Sequence, residues 1–407
     1  MTAIAGRMLL DQNVLADPNP FYRQLVEHAS VWRVGDSDVY AVNSITAVTE
    51  ACRRVEDFSS NLTYLLYRKD DGLPARKRHG LSQGGGGGQV LATADPPVHA
   101  RHKRLISSEF SPKRIASLDA QVAQMTRERL APALAAGRIE FMSDLANLIP
   151  IDIVTELIAF RERNTQALFD AAIVQTDILA SAISREELER RLSVSSETFA
   201  WVFLQLQEAL ASPGAGILGL LARTIGAGEA DVQLAMAVLL TLFAAGGEST
   251  SSLIGNSVMM MAQDQDLQRR VRANSALIPK LIEEALRLES PFRHHMRIAR
   301  RATNLCDVEI PAGATLLMMW GAANRDPAMF ERPDEIVLDR PRRHVGFGSG
   351  IHVCLGNTLA RLEARVVLKN LLAVTREFGV EVGESLNWVP SLAVRRLDQL
   401  PLYLVPQ

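Results

Sequence analysis

The sequence predicts a mainly α fold of the α+β type, with small β-sheets appended to a helical body. Three observations carry this. From Pro96 to about Ala262 apolar residues recur at helical spacing, as in "IASLDAQVAQMTRERLAPAL", "LIPIDIVTELIAF" and "FAWVFLQLQEALA". One run, "ADVQLAMAVLLTLFAAGGESTSSLIGNSVMMMAQ", lacks proline and is apolar on nearly every face, which describes a helix of about 50 Å buried through a large domain. Strand candidates are short and lie outside this stretch, so an alternating βαβ architecture is disfavoured.

Taken in order, "PFYRQLVEHA" reads as a short helix, followed by strand-like "VWRV" and "VYAVN". A looser segment runs from Ser59 to Thr93 and contains the basic cluster Arg76, Lys77, Arg78, His79 and the run Gly84–Gly88. Consecutive glycines lose the most backbone entropy on ordering, so a flexible loop or lid is expected here. A phosphate cradle is not, because Gln89 and Val90 stand where GK[ST] should follow. After the helical stretch, "LIPKLIEEALRLESPF" reads as a helix ended by Pro291, then come strand candidates in "VEIPAGATLLMMW" and a hairpin-rich finish in "SLAVRRLDQLPLYLV".

The charge balance is 44 basic against 46 acidic residues, a net −2. It supplies no global attraction to nucleic acid or an anionic membrane. The three cysteines, Cys52, Cys306 and Cys354, include no CxxC pair, which argues for a reducing, cytoplasmic setting rather than a disulfide framework. No signal-peptide core is expected near the N-terminus, and no stretch approaches the roughly 20 apolar residues expected of a membrane span.

Chemistry concentrates at "HVGFGSGIHVCLGNTLARLEARVV", residues 344–367. Gly346, Gly348 and Gly350 permit a tight turn, and Leu359, Leu362, Val366 and Val367 mark the buried face of a helix beginning behind Cys354. A thiol there lies near a helix N-terminus, which favours the thiolate, the form that ligates metal. Inert packing is the commoner fate of a buried cysteine. Zinc lacks paired ligand spacing around His344, His352 and Cys354. A dinucleotide loop at Gly346–Gly350 lacks its third glycine, since Val353 stands there.

"FGSGIHVCLGNTLAR" resembles the haem-ligand signature of the cytochrome P450 family, FGxGxHxCxGxxLAR. The resemblance implies a P450 fold of about a dozen helices around a buried haem b, as one domain over residues 1–407. It implies Cys354 as the thiolate ligand of the iron, with Phe347, Gly348, His352 and Gly356 against the cofactor. "EALR" resembles the family's ExxR motif, which with the later "NRDPAMFERPDEIVLDR" implies a structural triad of Glu284, Arg287 and Arg340. On residues alone, Glu284 and Arg287 are an ordinary i,i+3 helix pair. "AAGGEST" within the longest helix would by propensity be a kink. By resemblance it is the oxygen-binding groove, with Ala245 and Gly246 over the haem and Glu248 with Ser249 as an acid–alcohol proton pair. The usual threonine is replaced by Ser249, with Thr250 following. Lacking a γ-methyl, Ser249 can turn its hydroxyl to the carbonyl one turn back, and Thr250 points about 100° away on a regular helix. "ADPPVHARHKRL" resembles the helix carrying HxxxR, with His99 matching and Lys103 in the arginine position. Arg297 matches a second propionate contact.

By the same resemblance the substrate pocket is expected from Ser59–Thr93, Thr241–Ser249, Phe292–His295 and Ser391–Val394. Its candidate lining residues are Thr241, Ala244, Ala245, Phe292, His294, His295, Leu392 and Ala393. The implied activity inserts one atom of O2 into a small organic, secondary-metabolite or lipid-like substrate. Electrons would come from a separate ferredoxin-type donor with an NAD(P)H-dependent reductase. Two other readings stay open at this point: a haem-binding sensor or sink without turnover, and a dinucleotide-dependent dehydrogenase using the Gly346–Gly350 loop.

Overall fold

The computed structural model describes residues 4–78, 89–161, 164–179, 182–341 and 343–407. The Gly84–Gly88 run and His79 lie outside the described residues. Helices of nine or more residues are α1 (Asn19–His28), α2 (Ile45–Arg53), α3 (Val98–Ile106), α4 (Asp119–Ala136), α5 (Leu148–Ile158), α6 (Thr165–Asp177), α7 (Arg185–Ala211), α8 (Gly216–Gly226), α9 (Val232–Gln263), α10 (Gln265–Ala273), α11 (Ile278–Leu288) and α12 (Asn357–Val374). Their ends follow local chemistry. Ser184 and Asp231 cap α7 and α9 by accepting the Glu187 and Leu234 N–H groups, which satisfies amide donors that a helix start leaves unpaired. Gly137 closes α4 in the left-handed region, at φ 68°.

The strands are short: β1 (Val31–Arg33), β2 (Val39–Val42), β3 (Phe58–Ser59), β4 (Tyr64–Arg68), β5 (Pro74–Arg78), β6 (Arg138–Glu140), β7 (His295–Ala299), β8 (Thr303–Leu305), β9 (Val308–Ile310), β10 (Thr315–Met318), β11 (Thr375–Val380) and β12 (Pro401–Pro406). They form a five-stranded sheet ordered β1-β2-β10-β7-β3, a three-stranded sheet β11-β12-β6, and the hairpins β4-β5 and β8-β9. Among the described residues β2 and β10 are the only parallel pair. The Gly346–Gly350 loop therefore joins no parallel βαβ unit, and the dinucleotide reading loses its scaffold.

Two expectations need correction. The segment after Ser59 contains a real hairpin, β4-β5, turning at Asp70-Asp71-Gly72, where Asp71 accepts the Leu73 N–H at 2.9 Å. The C-terminal finish is less regular than expected: the chain folds back around "SLAVRR" through one isolated antiparallel bridge, Trp388 with Leu397, and Val394 bridges Phe292, before β12 joins its sheet.

Helix α9 organises the rest. It is long and apolar enough by composition to cross a bilayer, contrary to the sequence reading. Its residues from Thr250 to Ala262 are nevertheless buried without interruption, and Leu253, Ile254 and Val258 share one apolar cluster with residues of α4, α5, α11 and α12. Its apolar surface is thus used in packing the core. The helix runs unbroken through Gly246 and Gly247. A Cβ at Gly246 would meet Val154 Cγ2 at 2.8 Å, and one at Gly247 would meet Ile151 Cδ1 at 3.1 Å. Absence of side chains here lets α9 lie close against α5, which outweighs the helix-propensity cost.

Candidate active site

A cavity opens between α9 on one side and the 346–356 loop with the start of α12 on the other. Helix α9 supplies Thr241, Leu242, Ala245, Gly246, Ser249, Thr250 and Leu253, a stripe stepping four residues at a time. Ala245 is exposed in mid-helix because the cavity lies beside it. The facing wall holds Gly346, Phe347, Gly348, His352, Cys354, Gly356, Leu359, Ala360 and Glu363.

The loop earns its shape from glycine and from caps within it. Gly348 and Gly350 adopt left-handed φ values of 75° and 72°, conformations that other residues rarely hold. Gly346 serves differently, since a Cβ there would meet the Leu286 carbonyl at 2.8 Å. The Cys354 N–H donates to the Phe347 carbonyl at 3.0 Å. Cys354 is surface-accessible, but the surface it presents is the wall of this deep cavity. Burial raises its thiol above the ordinary value, against the lowering effects of the Gly356 N–H, Arg361 and Lys103. The thiolate-favouring pull of a helix start, expected from the sequence, is therefore outweighed by desolvation.

Basic side chains gather along one edge. His99 and Lys103 come from α3, Arg297 from β7 and His352 from the loop. The His99 and His352 rings lie 4.3 Å apart. His352 Nε2 is buried with no hydrogen-bond partner, and burial together with Arg297 and His99 pushes this ring down to about 3. Arg297 is buried and donates to the Met296 carbonyl at 2.8 Å. Among the described residues no carboxylate is in ion-pair contact with it. A buried guanidinium and an orphaned ring nitrogen on one edge call for an anion.

Of the residues expected in the pocket, Thr241, Ala245, Phe292 and His295 line the cavity. Ala244, His294, Leu392 and Ala393 do not. Ala244 sits a helical step off the stripe. His294 turns away from His295 on the extended chain, with its Nδ1 3.0 Å from the Leu392 carbonyl. Leu392 and Ala393 are buried at 1% and 2% exposure, with Leu392 in a cluster with Leu15 and Tyr22. Trp320 donates its indole N–H to His295 Nδ1 at 2.8 Å, which leaves Nε2 as the proton-bearing nitrogen of His295. Burial, with Arg297 next, pushes His295 down to about 3, so this ring is neutral. From the Ser59–Thr93 segment, Leu91 and Ala92 reach the wall.

Glu248, Ser249 and Thr250 are consecutive but face differently. Ser249 lines the cavity and donates its hydroxyl to the Ala245 carbonyl at 2.7 Å. Thr250 lines it as well, against expectation, because the cavity spans more than one helical step. Glu248 is fully buried and faces away. It accepts from Arg396 Nε at 2.9 Å and from the Thr176 hydroxyl. Burial raises its carboxyl above the ordinary value, only partly opposed by Arg396 and Thr176.

Beneath the loop, Glu284 accepts from Arg287 Nε and Nη2 at 2.8 and 2.9 Å, and from the Val337 N–H at 2.8 Å. Arg340 Nε lies 3.3 Å from Glu284 Oε1. Arg287, 1% exposed, also donates to the carbonyls of Asn324, Pro333 and Glu335. The triad thus pins the 324–340 segment to α11.

Glu363 escaped the sequence reading. It is 1% exposed, lines the cavity, and its Oε2 has no partner. Burial alone pushes its carboxyl up to about 8. The signal was present in "LARLEARVV", where an acid falls four residues after Leu359 on the apolar face.

The family model for Cytochrome P450 matches residues 218–387. Cytochrome P450 144 of Mycobacterium tuberculosis is 41% identical over 388 residues, covering 95% of this chain and 88% of that protein. The crystal structure of CYP109E1 from Bacillus megaterium in complex with testosterone superposes with a TM-score of 0.86 at 25% identity, over 97% of this chain and 99% of that one. P450BioI in complex with an acyl carrier protein ligated to hexadec-9Z-enoic acid gives 0.85 at 25% identity, over 96% and 100%. With the cavity, its single thiol and these likenesses together, the chain belongs to the cytochrome P450 family and is a haem-dependent monooxygenase.

Proposed function

We propose that this P450 binds haem b with Cys354 as its thiolate ligand and oxidises an apolar, lipid-like small molecule. The observation that carries this is one thiol facing the small residues Ala245 and Gly246 of α9 across a slot edged by His99, Lys103, Arg297 and His352. That edge, with its orphaned His352 nitrogen and buried Arg297, fits the two carboxylates of a haem. A thiol kept neutral by burial fits a metal cation, which deprotonates a coordinating thiol outright. When bound, haem supplies activation of O2, so that substrate, O2, two electrons and two protons give hydroxylated product and water.

The chain's own residues do the remainder. Leu91, Phe110, Val154, Leu242 and Phe292 exclude water and hold an apolar substrate. His295 offers one neutral N–H donor to orient it. Glu248, with its raised affinity for a proton, stores one behind α9 against the lowering pull of Arg396 and Thr176. Ser249 and Thr250 present hydroxyl oxygens to the cavity, that of Ser249 as an acceptor while its hydrogen is donated to the Ala245 carbonyl. The testosterone and fatty-acyl complexes of the structural relatives support a lipid-like substrate. Electrons come from a ferredoxin-type donor with its NAD(P)H-dependent reductase, in the cytoplasm, and residues 1–407 act as one domain. With purified protein, such a donor system and a ligand found by spectral screening, ¹⁸O2 should place one labelled atom in the product. Electron consumption without labelled product for any bound ligand would favour a haem sensor instead.

A further inference from the structure

Glu283 stands next to the triad's Glu284 on α11 but faces a different set of partners. Its Oε1 accepts from Arg361 Nε at 2.7 Å, and its Oε2 accepts from Arg361 Nη2 at 3.0 Å. The same Oε2 lies 3.0 Å from His344 Nε2. His344 Nδ1 accepts the Gly346 N–H at 3.1 Å, so its proton sits on Nε2 and is donated to Glu283.

In the other direction, Arg361 Nη1 donates to Asn357 Oδ1 at 2.9 Å, and Asn357 Nδ2 donates to the Cys354 carbonyl at 2.5 Å. The Arg361 guanidinium also lies 4.4 Å from the centroid of the Phe347 ring, and Phe347 accepts the Cys354 N–H. One buried carboxylate thus holds the loop where it begins, through His344 and Gly346, and where it ends, through Arg361 and Asn357. Among the described residues the neighbouring Glu284 reaches only α11, Val337 and Arg340.

We infer that Glu283 is a positioning residue for Cys354: it fixes the backbone on both sides of the sulfur and balances the Arg361 charge beside it. This rests on the reading of Cys354 as the iron ligand. A carboxylate serves because only an acceptor with two oxygens can take the arginine fork and still receive the imidazole N–H. Glutamine keeps the shape but puts an NH2 group against one of those donors. Arg361 then stands without its counter-charge, which favours electron uptake at the site.

The test compares holoenzymes of wild type, Glu283→Gln and Arg361→Lys. Wild type must first show the thiolate-type absorption of its reduced carbon monoxide complex; if it does not, the ligand assignment fails and this inference falls with it. Given that band, Glu283→Gln should convert to the thiol-type complex on mild heating about tenfold faster, as expected for losing a charge-assisted hydrogen bond, and its reduction potential should rise. Arg361→Lys keeps the charge but loses the fork and the Asn357 bond, so its conversion should also accelerate while its potential stays near wild type. A merely structural role would lower the melting temperature of both variants and leave conversion rate and potential unchanged, which overturns the inference. Should Glu283→Gln fail to fold, wild-type conversion kinetics in Arg361→Lys overturn it equally.

Discussion

The Ser249 hydroxyl donates to the Ala245 carbonyl at 2.7 Å, one turn back along α9. Its hydrogen is committed to the helix, so only its lone pairs face the cavity. A threonine has a more restricted χ1 and would hold its hydroxyl with less freedom. Part of the NAD(P)H consumed should therefore appear as hydrogen peroxide in wild type. Ser249→Thr should raise product formed per NAD(P)H, and Ser249→Ala should lower it. Unchanged coupling in Ser249→Ala would move the proton-handling role to Thr250.

Glu283 and Glu284 should shape acid stability. For both, burial favours the neutral acid, but His344 and Arg361 for Glu283, and Arg287, the Val337 N–H and Arg340 for Glu284, overcome it. Glu283 is held at about 2 against an ordinary 4.5. A depressed folded value adds stability that is present above the unfolded pKa and lost as pH falls through the folded one. Melting temperature should thus drop between about pH 4.5 and 2, and Glu283→Gln should flatten that limb. Glu284→Gln leaves Arg287 buried without its counter-charge and should cost roughly 3–5 kcal/mol in denaturant unfolding. A cost near zero would mean that the triad adds nothing to the fold.

Glu363 has the opposite sign. Its carboxyl is raised by burial from 4.5 to about 8, so the folded state binds a proton that the unfolded state releases. Its contribution is fully present below about pH 4.5 and is lost as pH rises to about 8. Glu363→Gln should match wild type at pH 4 and melt higher at pH 8. A variant melting lower at pH 8 would show that Glu363 has an ionised partner.

Close packing of α9 on α5 gives a further expectation. In Gly246→Ala the new methyl meets Val154 Cγ2 at 2.8 Å; overpacking of this kind costs about 1–3 kcal/mol, partly offset by helix propensity. Val154→Ala in the same chain should recover the loss. A double-mutant cycle of melts measures this coupling directly, and strictly additive effects would contradict the contact.

Much of this was legible in the sequence because it depends on spacing. Periodicity showed the helices, and the loop around Cys354 has glycines and an apolar face at offsets that few other arrangements need. What stayed hidden depends on residues far apart in the chain. The partners of Glu248 lie 72 and 148 residues away, at Thr176 and Arg396, and nothing in "AAGGEST" points to either. Gly246 read as a kink because propensity is local, whereas its reason is Val154 on another helix. The β4-β5 hairpin was obscured by charges on its exposed face, and His294 shows that neighbours on an extended chain cannot both face one cavity.

The assignment of this cavity as a haem site depends on the sulfur of Cys354. The direct measurement is the absorption spectrum of the reduced carbon monoxide complex of wild type beside that of Cys354→His. The wild-type protein should show the strongly red-shifted thiolate-type Soret band, and Cys354→His should retain some haem while losing that band and all NAD(P)H-driven oxidation. A wild-type spectrum in Cys354→His would contradict the assignment and direct the search to Cys52, whose carbonyl packs against Gly350 of the same loop.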